Sequence, residues 1–549
     1  MSSDTAQSAV VRKLAKGSFL SRLMGSRRQP LRLVAVPRDH VQGDRSRGDS
    51  LLAGKLVCGT ETLPLADLDF AAVGAEGPMA EYLQGFSWLR DLAAAASREK
   101  GSRLAEAIVG RWLLAHGTRV DSAWRPDLWG ERILFWSAYA PYILSSNDAG
   151  YRSALLNTLA RGARHLEANA DKAPAGLKRV TAWAGACAAA LLVQGGVARI
   201  ARAESGLGRA LGSAQSDDGG LISRTPFEQV QLVDRLGLLR SAYFAAKHTP
   251  PESFETAAAA ALSALHGVIL GDGALSSWQG GNAGDAGRLT AIVEGCGMRA
   301  RALRQPRGWG FHRLSALGTV AVIDAAPPPP PKAAPSGCAS TLAFELSDGP
   351  QRLVVNCGGP ARAPTQMPDD LVSALRTTAA HSTVTIADTN STAILTDGSL
   401  GKGVTDVLID RSEDNDSSRL EASHDGYLRS FGLLHRRVLV LGNDGKELRG
   451  TDELVAKARR RAKDGTPFAI RFHLAHGIEP TITADGMGAI LRSPGAPPWN
   501  FRSRGAAIGV EESLMVDGRG TPHRTMQLVI NGEAAASGAE VHWQFRRSS

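Results

Sequence analysis

The period of the hydrophobic pattern changes once along this chain, near Gly310, and this change constrains the fold more than any other feature. From about Gly77 to Arg304, apolar residues recur at three- and four-residue spacing, as in AEYLQGFSWLRDLAAAAS and FEQVQLVDRLGLLRSAYFAA. This spacing is typical of amphipathic helices. Helical hairpins of this length cannot bury their apolar stripes alone, so we expect them to stack as a bundle, a solenoid or a closed toroid.

After Gly310 the sequence consists of short runs typical of β-strands, such as TVAVIDAA, STLAFEL, STVTIAD and MQLVINGE. The turn signals Asp348-Gly349-Pro350 and Asn443-Asp444-Gly445 lie between pairs of these runs, as β-hairpins require. Many strands without helical crossovers predict an antiparallel sandwich. The fold class is therefore α+β multidomain. The predicted parts are a basic, disordered tail over 1–50, a helical domain over 51–308 and an antiparallel β-sandwich over 309–549.

The basic charge is concentrated near the N-terminus. The whole chain has 63 Lys and Arg against 54 Asp and Glu, and residues 1–48 contain ten of the former and three Asp. We interpret this segment as a mobile tail. A nucleic-acid-binding arm is the alternative, but no zinc-finger, RNP or KH pattern supports nucleic acid as a partner. The five cysteines are widely spread and form no CxxC pair, which argues against a disulfide framework.

Two apolar stretches lack the features of a targeting or membrane segment. The first thirty residues lack the continuous apolar core of a secretory signal. The run AWAGACAAALLVQGG (182–196) is too short to span a bilayer and stops at two glycines. The sequence predicts a soluble chain without a transmembrane segment, cytoplasmic by default, with a periplasmic or envelope-associated location left open.

Several polar residues are candidates for chemistry, each with a structural alternative. His381 precedes an alternating β run and is either a ligand, an acid or base, or a strand-end histidine bonded to backbone. Glu228 either completes a capping box with Thr225, with Pro226 at the first helical position, or acts as a base beside Arg224 as a carboxylate clamp.

A second candidate group lies in the SHDGY segment. His424, Asp425 and Tyr427 are expected in an exposed loop before a strand, where they either form an acid/base pair or are ordinary loop and edge residues.

Collinear phrases in both halves resemble the heparinase II/III family of polysaccharide lyases over roughly residues 80–545. They are PDLWGERILFW, DDGGLISRTP, LGDGALSSWQG, STLAFEL, AAHSTVTIAD, SHDGY with HRR, and RFHLA. The resemblance implies an incomplete (α/α) toroid followed by an antiparallel β-sandwich, with a sugar cleft between them. It also implies β-elimination at a uronic acid, in which a base removes the proton α to a neutralised carboxylate and an acid protonates the leaving oxygen.

The family's motifs are strongly altered in this chain. Its His-Gly-His-x-Asp run, whose first His is catalytic, corresponds to 336–340 (SGCAS), and its Asp-Pro-Gly turn corresponds to 356–358 (NCG). The third motif, His-Asn-Thr, survives as His381-Ser382-Thr383. The family's Tyr, which follows a Ser-Pro pair, is replaced by Phe227-Glu228 after Thr225-Pro226.

The resemblance thus makes Cys338, Asn356 and His381 the altered counterparts of a structural zinc site. Asn356 is a poor replacement for a carboxylate, Cys357 is a further candidate ligand, and an intact site is not expected.

The same resemblance suggests a positively charged cleft for an acidic polysaccharide. Its candidate substrate-binding residues are Arg224, Trp278, Arg313 and Arg376, although core packing is the default for the tryptophan. Two hypotheses follow. The chain is either a lyase of uronate-containing polysaccharide, with Glu228, His381, His424 and Tyr427 as candidate catalytic residues, or a non-catalytic acidic-glycan-binding or scaffolding protein of the cell envelope.

Overall fold

The structure is a computed structural model that describes residues 31–59, 61–360, 367–457 and 465–548. The described helices are α1 (Arg45–Leu52), α2 (Pro78–Gly85), α3 (Trp88–Ala95), α4 (Arg98–His116), α5 (Pro126–Ala138), α6 (Ala140–Ile143), α7 (Ala149–Asn169), α8 (Leu177–Leu192), α9 (Ile200–Ala214), α10 (Pro226–Ala245), α11 (Glu252–Gly267), α12 (Ala286–Gly295), α13 (Asp369–Ala374) and α14 (Leu428–Phe431). None of them is both long and apolar enough to cross a lipid bilayer.

The helical half has its own core, and helices α5 and α8 cross at its centre. A Cβ atom on Gly185 would lie 2.3 Å from the Cα of Gly130, so the two backbones touch at this crossing. Residues with side chains would hold the helices further apart, because no Cβ fits there. The crossing places the tryptophans of PDLWGERILFW inside the core, where Trp129 and Trp136 are buried.

Residues 31–50, the described part of the predicted N-terminal tail, pack against this core. Val34 N–H donates to Leu192 O, and the Asp39 carboxylate accepts bonds from Arg90 at 2.6 and 3.0 Å. Arg90 also bonds to Asp234, so one buried guanidinium joins the segment to two helices. The predicted tail over 1–50 is wrong for residues 31–50, because this segment is anchored by the buried Asp39–Arg90 pair and leads into helix α1. Residues 1–30 lie outside the described part.

The strands are β1 (Lys55–Cys58), β2 (Glu61–Pro64), β3 (Phe311–Ala316), β4 (Thr319–Asp324), β5 (Phe344–Asp348), β6 (Gln351–Val355), β7 (Val384–Ile386), β8 (Val407–Glu413), β9 (Ser417–His424), β10 (Leu433–Gly442), β11 (Glu447–Ala456), β12 (Thr466–Leu474), β13 (Glu479–Ile482), β14 (Gly488–Arg492), β15 (Trp499–Arg504), β16 (Ile508–Val516), β17 (Pro522–Ala534) and β18 (Gly538–Arg547). The first two form a small hairpin in the helical half. All later strands follow the change of period near Gly310, as predicted.

Two antiparallel sheets make up the second half. One has the order β13-β14-β15-β18-β11-β10-β9-β8, and the other has the order β16-β17-β12-β6-β5-β4-β3, with β7 added beside β12. Strand β9 alternates half-buried and buried residues, which is the pattern of a strand with one covered face. Buried residues from both sheets form the second hydrophobic core. The predicted antiparallel sandwich is confirmed.

The two halves are joined by buried polar contacts as well as apolar ones. Arg352 on β6 donates to the Asp272 carboxylate at 2.7 Å and to Leu275 O at 2.8 Å. Ser347 on β5 accepts a bond from Gly271 N–H at 3.0 Å. The loop 270–284 of the helical half therefore lies directly on the sheet that contains β3 to β6.

Candidate functional site

An open pocket lies where the N-terminus of α10 faces the loops of the sandwich. It is open to solvent and has a cavity volume of about 70 Å³. Its lining residues are Thr225, Phe227, Glu228, Gln279, Gly280, Gly281, Ala333, Ala334, Pro335 and Ser336. Of the four predicted catalytic residues, Glu228 lines this pocket, whereas the other three are buried elsewhere in the sandwich.

Glu228 is held in place by the helix start. Pro226 is at the first helical position, as predicted, but the side chain of Thr225 does not cap the helix; its hydroxyl donates to Ser223 O at 3.2 Å. The predicted capping box is therefore wrong for Thr225, whose side chain makes no capping hydrogen bond to the helix. Glu228 instead accepts a hydrogen bond from the Ser223 hydroxyl at 2.8 Å, which turns its carboxylate back towards the preceding loop.

Arg224 does not face the pocket as a carboxylate clamp. Its guanidinium is buried, donating to Trp309 O at 3.0 Å and to Pro327 O at 2.7 Å, and it forms a close ion pair with Asp324. It also lies over the ring of Phe311, 4.6 Å from the centroid. The Arg224 guanidinium was predicted to bind a substrate carboxylate. It is instead neutralised by Asp324 inside the protein, at the contact between the two halves.

Asp324 is the centre of this buried network, and the sequence analysis did not single it out. Its second carboxylate oxygen accepts from the Ser340 hydroxyl at 2.7 Å. The side chain of Gln279 lies beside both groups, and its Oε1 accepts the Cys338 N–H at 2.8 Å. The sequence did contain one indication of this network. Asp324 ends the apolar run TVAVID, and a charge on a buried strand requires a partner.

The residues at the altered zinc motif are bonded to each other and to backbone. Asn356 Oδ1 accepts the Ser382 N–H at 3.0 Å, while its amide nitrogen donates to Glu345 at 3.2 Å and to Ser277 O at 3.3 Å. Burial raises the pKa of the Cys338 thiol to about 12, although Arg376 opposes the shift.

In the described part of the chain, no three His, Cys, Asp or Glu side chains come together as a set able to hold a metal ion. The predicted ligands Cys338, Asn356 and His381 do not fit a zinc ion, because Asn356 supplies a carboxamide in place of a carboxylate and its Oδ1 accepts the Ser382 N–H.

His381 is a buried histidine at the end of a 3-10 turn, Thr378–Ala380, just before β7. Its Nδ1 bonds to Thr377 O at 2.7 Å and so carries the hydrogen. Burial lowers the pKa of this imidazole to about 4, against the opposing effects of the Thr377 carbonyl and Asp324. The ring is therefore neutral at physiological pH. His381 is a strand-end histidine bonded to backbone, which was one of the three alternatives that the sequence left open.

His424 and Tyr427 are buried as well, so the expectation of an exposed loop is wrong for both side chains. The Tyr427 hydroxyl donates to Val384 O at 2.7 Å. His424 accepts the Gly426 N–H at Nδ1 and lies 3.3 Å from His435 Nδ1 through its other nitrogen. Burial lowers the pKa of His424 far below its ordinary value, with the nearby charges of His435 and Arg437 adding to the effect.

The chain of bonds from His424 ends on a second buried carboxylate, that of Asp452. His435 Nε2 lies 2.8 Å from it, and Arg437 and Trp543 each donate to it as well. Burial alone would raise the pKa of Asp452, but the charge of Arg437 and the His435 bond hold it well below its usual range. This cluster stabilises the sandwich core, since every polar atom named is paired away from solvent.

The three other predicted substrate-binding residues also make internal bonds. Trp278 is buried against Phe311, with 5.3 Å between ring centroids, and its indole N–H donates to Ser276 at 2.7 Å. Arg313 donates to Ile269 O, and Arg376 donates twice to Gly337 O, at 2.9 and 2.7 Å. These contacts hold neighbouring segments of the protein together, and none of the three side chains lines the pocket.

This geometry defines a class: a protein with the (α/α) toroid and antiparallel β-sandwich of polysaccharide lyases. Residues 298–544 match the family described as Heparinase II/III-like, C-terminal. This match covers the sandwich half of the chain, and it agrees with the resemblance to the heparinase II/III family described above.

Solved structures share the fold across both halves. The heparan sulfate lyase HepC of Pedobacter heparinus superposes with a TM-score of 0.61 at 15% identity, covering 92% of this chain and 83% of that one. A heparinase III superposes with a TM-score of 0.65 at 13% identity, covering 92% and 84%.

A relative of similar length is named for its localisation with FtsZ and not for a lyase activity. FtsZ-localized protein C of Caulobacter vibrioides (strain NA1000 / CB15N) is 28% identical over 548 residues, which is 97% of this chain and 93% of that protein.

Proposed function

We propose that this chain is a non-catalytic scaffolding and acidic-glycan-binding protein of the cell envelope, which works at the site of cell division. One observation carries the proposal: Arg224, His381, His424 and Tyr427, four of the groups that lyase chemistry would require, are buried and bonded internally. A lyase needs a base, an acid and a carboxylate-neutralising group that reach the substrate.

The location at the division site is supported by the relative named for its localisation with FtsZ, which aligns along nearly the whole length of this chain. The acidic-glycan part is supported by the fold, because related folds in solved structures include a heparan sulfate lyase. A retained cleft with lost chemistry would bind a polymer without cleaving it.

The test has two arms. The purified full-length chain is incubated with heparan sulfate, alginate, hyaluronan and bacterial acidic polymers, and unsaturated uronate is followed by its ultraviolet absorbance, with an active heparinase III as positive control. We expect no product, together with binding to at least one acidic polymer that weakens as salt rises. Product formation, or the absence of all binding by folded protein, contradicts the glycan part of the proposal.

In the second arm, the chain is fused to a fluorescent protein and imaged in its own cells beside labelled FtsZ. We expect a band at midcell that coincides with FtsZ, and a diffuse signal from the fluorescent protein alone. A diffuse signal from the fusion contradicts the division-site part and leaves the glycan result unaffected.

The second candidate is a lyase of uronate-containing polysaccharide with an altered active site, and one feature favours it. Glu228 presents a half-buried carboxylate to the pocket at the junction, opposite the Ser336 wall. If turnover is found, Glu228→Gln should abolish it without lowering the melting temperature. Full activity in that variant would exclude Glu228 as the base.

A further inference from the structure

Strand β8 is an edge strand of the sheet that runs from β13 to β8. It pairs with β9 on one side, from Val407 opposite His424 to Glu413 opposite Ser418. No described strand pairs with its other side. In an antiparallel sheet, alternate residues of such an edge direct both the N–H and the C=O away from the sheet, so seven residues present several free backbone groups.

This edge also exposes large apolar side chains on both faces. Leu408 is 65% exposed and Ile409 is 41% exposed, and adjacent strand residues point to opposite faces. An additional strand beside β8 would cover both, because directly opposed side chains lie about 5 Å apart. The edge strand β16 of the other sheet has no comparable exposed apolar residue, and it presents Glu511 and Glu512 instead.

The charges on this edge are acidic. The segment TDVLIDRSEDND (405–416) contains five acidic residues and one arginine. The side chain of that arginine, Arg411, is only 4% exposed, because it donates inward to Arg313 O at 2.8 Å. Asp410 is 77% exposed, and its nearest cation, Arg419, lies 3.6 Å away on β9, on the side away from the free edge.

Natural edge strands are protected by charged side chains, proline or bulges. Strand β8 has no lysine, proline or bulge over its seven residues, and its exposed charges are the carboxylates of Asp410 and Glu413. The edge therefore repels an acidic strand and leaves a basic one able to add. Its apolar side chains and acidic groups instead match a strand that carries apolar and basic residues in alternation. Added strands gain affinity from backbone bonds and specificity from alternate side chains.

We propose that β8 is a docking edge for an extended basic peptide segment of a partner protein, which adds as a further antiparallel strand. The Lys or Arg side chains of the partner lie opposite Asp410 and its acidic neighbours, and its apolar side chains cover Leu408 and Ile409. This inference concerns a surface apart from the pocket and holds whether or not the chain binds a glycan.

The test uses the full-length chain and a fluorescein-labelled, eight-residue peptide of alternating Lys and Val. We expect saturable binding by fluorescence anisotropy that weakens with salt, and slowed hydrogen exchange at the amides of 407–413. Two matched peptides are the controls: one alternates Glu and Val, and the other is N-methylated at every second residue so that it cannot pair along one edge. Both should bind much more weakly.

Variants then locate the contact. Asp410→Lys should weaken the Lys–Val peptide by about threefold to tenfold and strengthen the Glu–Val peptide, since opposed cross-strand charges contribute measurably. Glu479→Lys, an exposed position on β13 at the opposite edge of the same sheet, should leave both peptides unchanged.

Three outcomes would overturn the proposal. They are failure of the folded chain to bind the Lys–Val peptide, binding that is insensitive to N-methylation or to Asp410→Lys, and a dimer in sedimentation analysis that Asp410→Lys dissolves. The last result would assign the edge to a second copy of this chain.

Discussion

Glu345 is a buried carboxyl group that titrates near neutral pH. It accepts bonds from the N–H groups of Ser277 and Asn356, at 2.9 and 3.1 Å, and lies 3.5 Å from Arg352. Burial raises the pKa of this carboxyl to about 7, although Arg352 and the two N–H donors oppose the shift. Because its pKa is higher in the folded protein than in the unfolded chain, the folded protein binds this proton more tightly.

The first prediction concerns the pH dependence of stability. Between about pH 4.5 and pH 7 the folded state holds a proton on Glu345 that the unfolded chain has lost, so the free energy of unfolding falls as pH rises through this window. The contribution amounts to about 3 kcal/mol at most. Glu345→Gln should remove it, because the amide keeps an acceptor oxygen but does not titrate.

The measurement is urea unfolding of the wild type and of Glu345→Gln at pH 5 and pH 8. Buried histidines with lowered pKa values, such as His381 and His473, change stability in the opposite direction in both proteins and cancel in the difference. A wild-type-minus-variant difference that is equal at the two pH values would contradict the assigned pKa.

At the scale of elements, the crossing of α5 and α8 determines how closely the helical core packs. Gly185 faces Gly130, and neither position has room for a Cβ: the nearest atoms would be backbone at 2.3 and 2.2 Å. Backbone on a packed helix cannot yield as a flexible side chain would.

The second prediction is therefore that Gly185→Ala destabilises the protein by about 1–3 kcal/mol, as overpacking does. The matched control is Gly208→Ala on α9, where a Cβ would meet nothing within 4 Å. That substitution should be neutral or stabilise by up to about 1 kcal/mol, since alanine has the higher helix propensity. Denaturant midpoints report both, and equal effects of the two substitutions would disprove the tight crossing.

At the scale of the whole molecule, the two halves share buried ionic contacts and should unfold together. Arg224 from the helical half pairs with Asp324 of the sandwich, and Arg352 of the sandwich pairs with Asp272 of the helical half. In the folded protein Arg224, Asp324 and Arg352 are buried at this contact, so each of them depends on the other half for its ionic partner.

The third prediction follows: calorimetry of the full chain should show one cooperative transition, and Arg224→Met should lower its temperature. Removing one partner of a buried pair costs about 3–5 kcal/mol. Arg304→Met is the control, because the Arg304 side chain is 42% exposed in its pair with Glu413 and should contribute at most about 1 kcal/mol. Two separate transitions would contradict the coupling of the halves.

The sequence predicted more of the fold than of the candidate site. The helical and β periods, the position of their change and the sandwich were predicted, because side-chain periodicity reports burial directly. The N-terminal segment was missed, because its low periodicity hid the Asp39–Arg90 pair, whose partners are 51 residues apart. The candidate site residues were placed near the junction by resemblance, but their solvent exposure was not predictable.

The sequence by itself determined that this chain has a helical half and an antiparallel half, since local periodicity and turn chemistry need no knowledge of distant partners. The tertiary structure decided what the polar residues do. Arg224 becomes an internal cation and His424 part of a buried chain of bonds, while β8 is left with a free edge. Burial and pairing depend on contacts between residues far apart in the chain, and no local pattern encodes them.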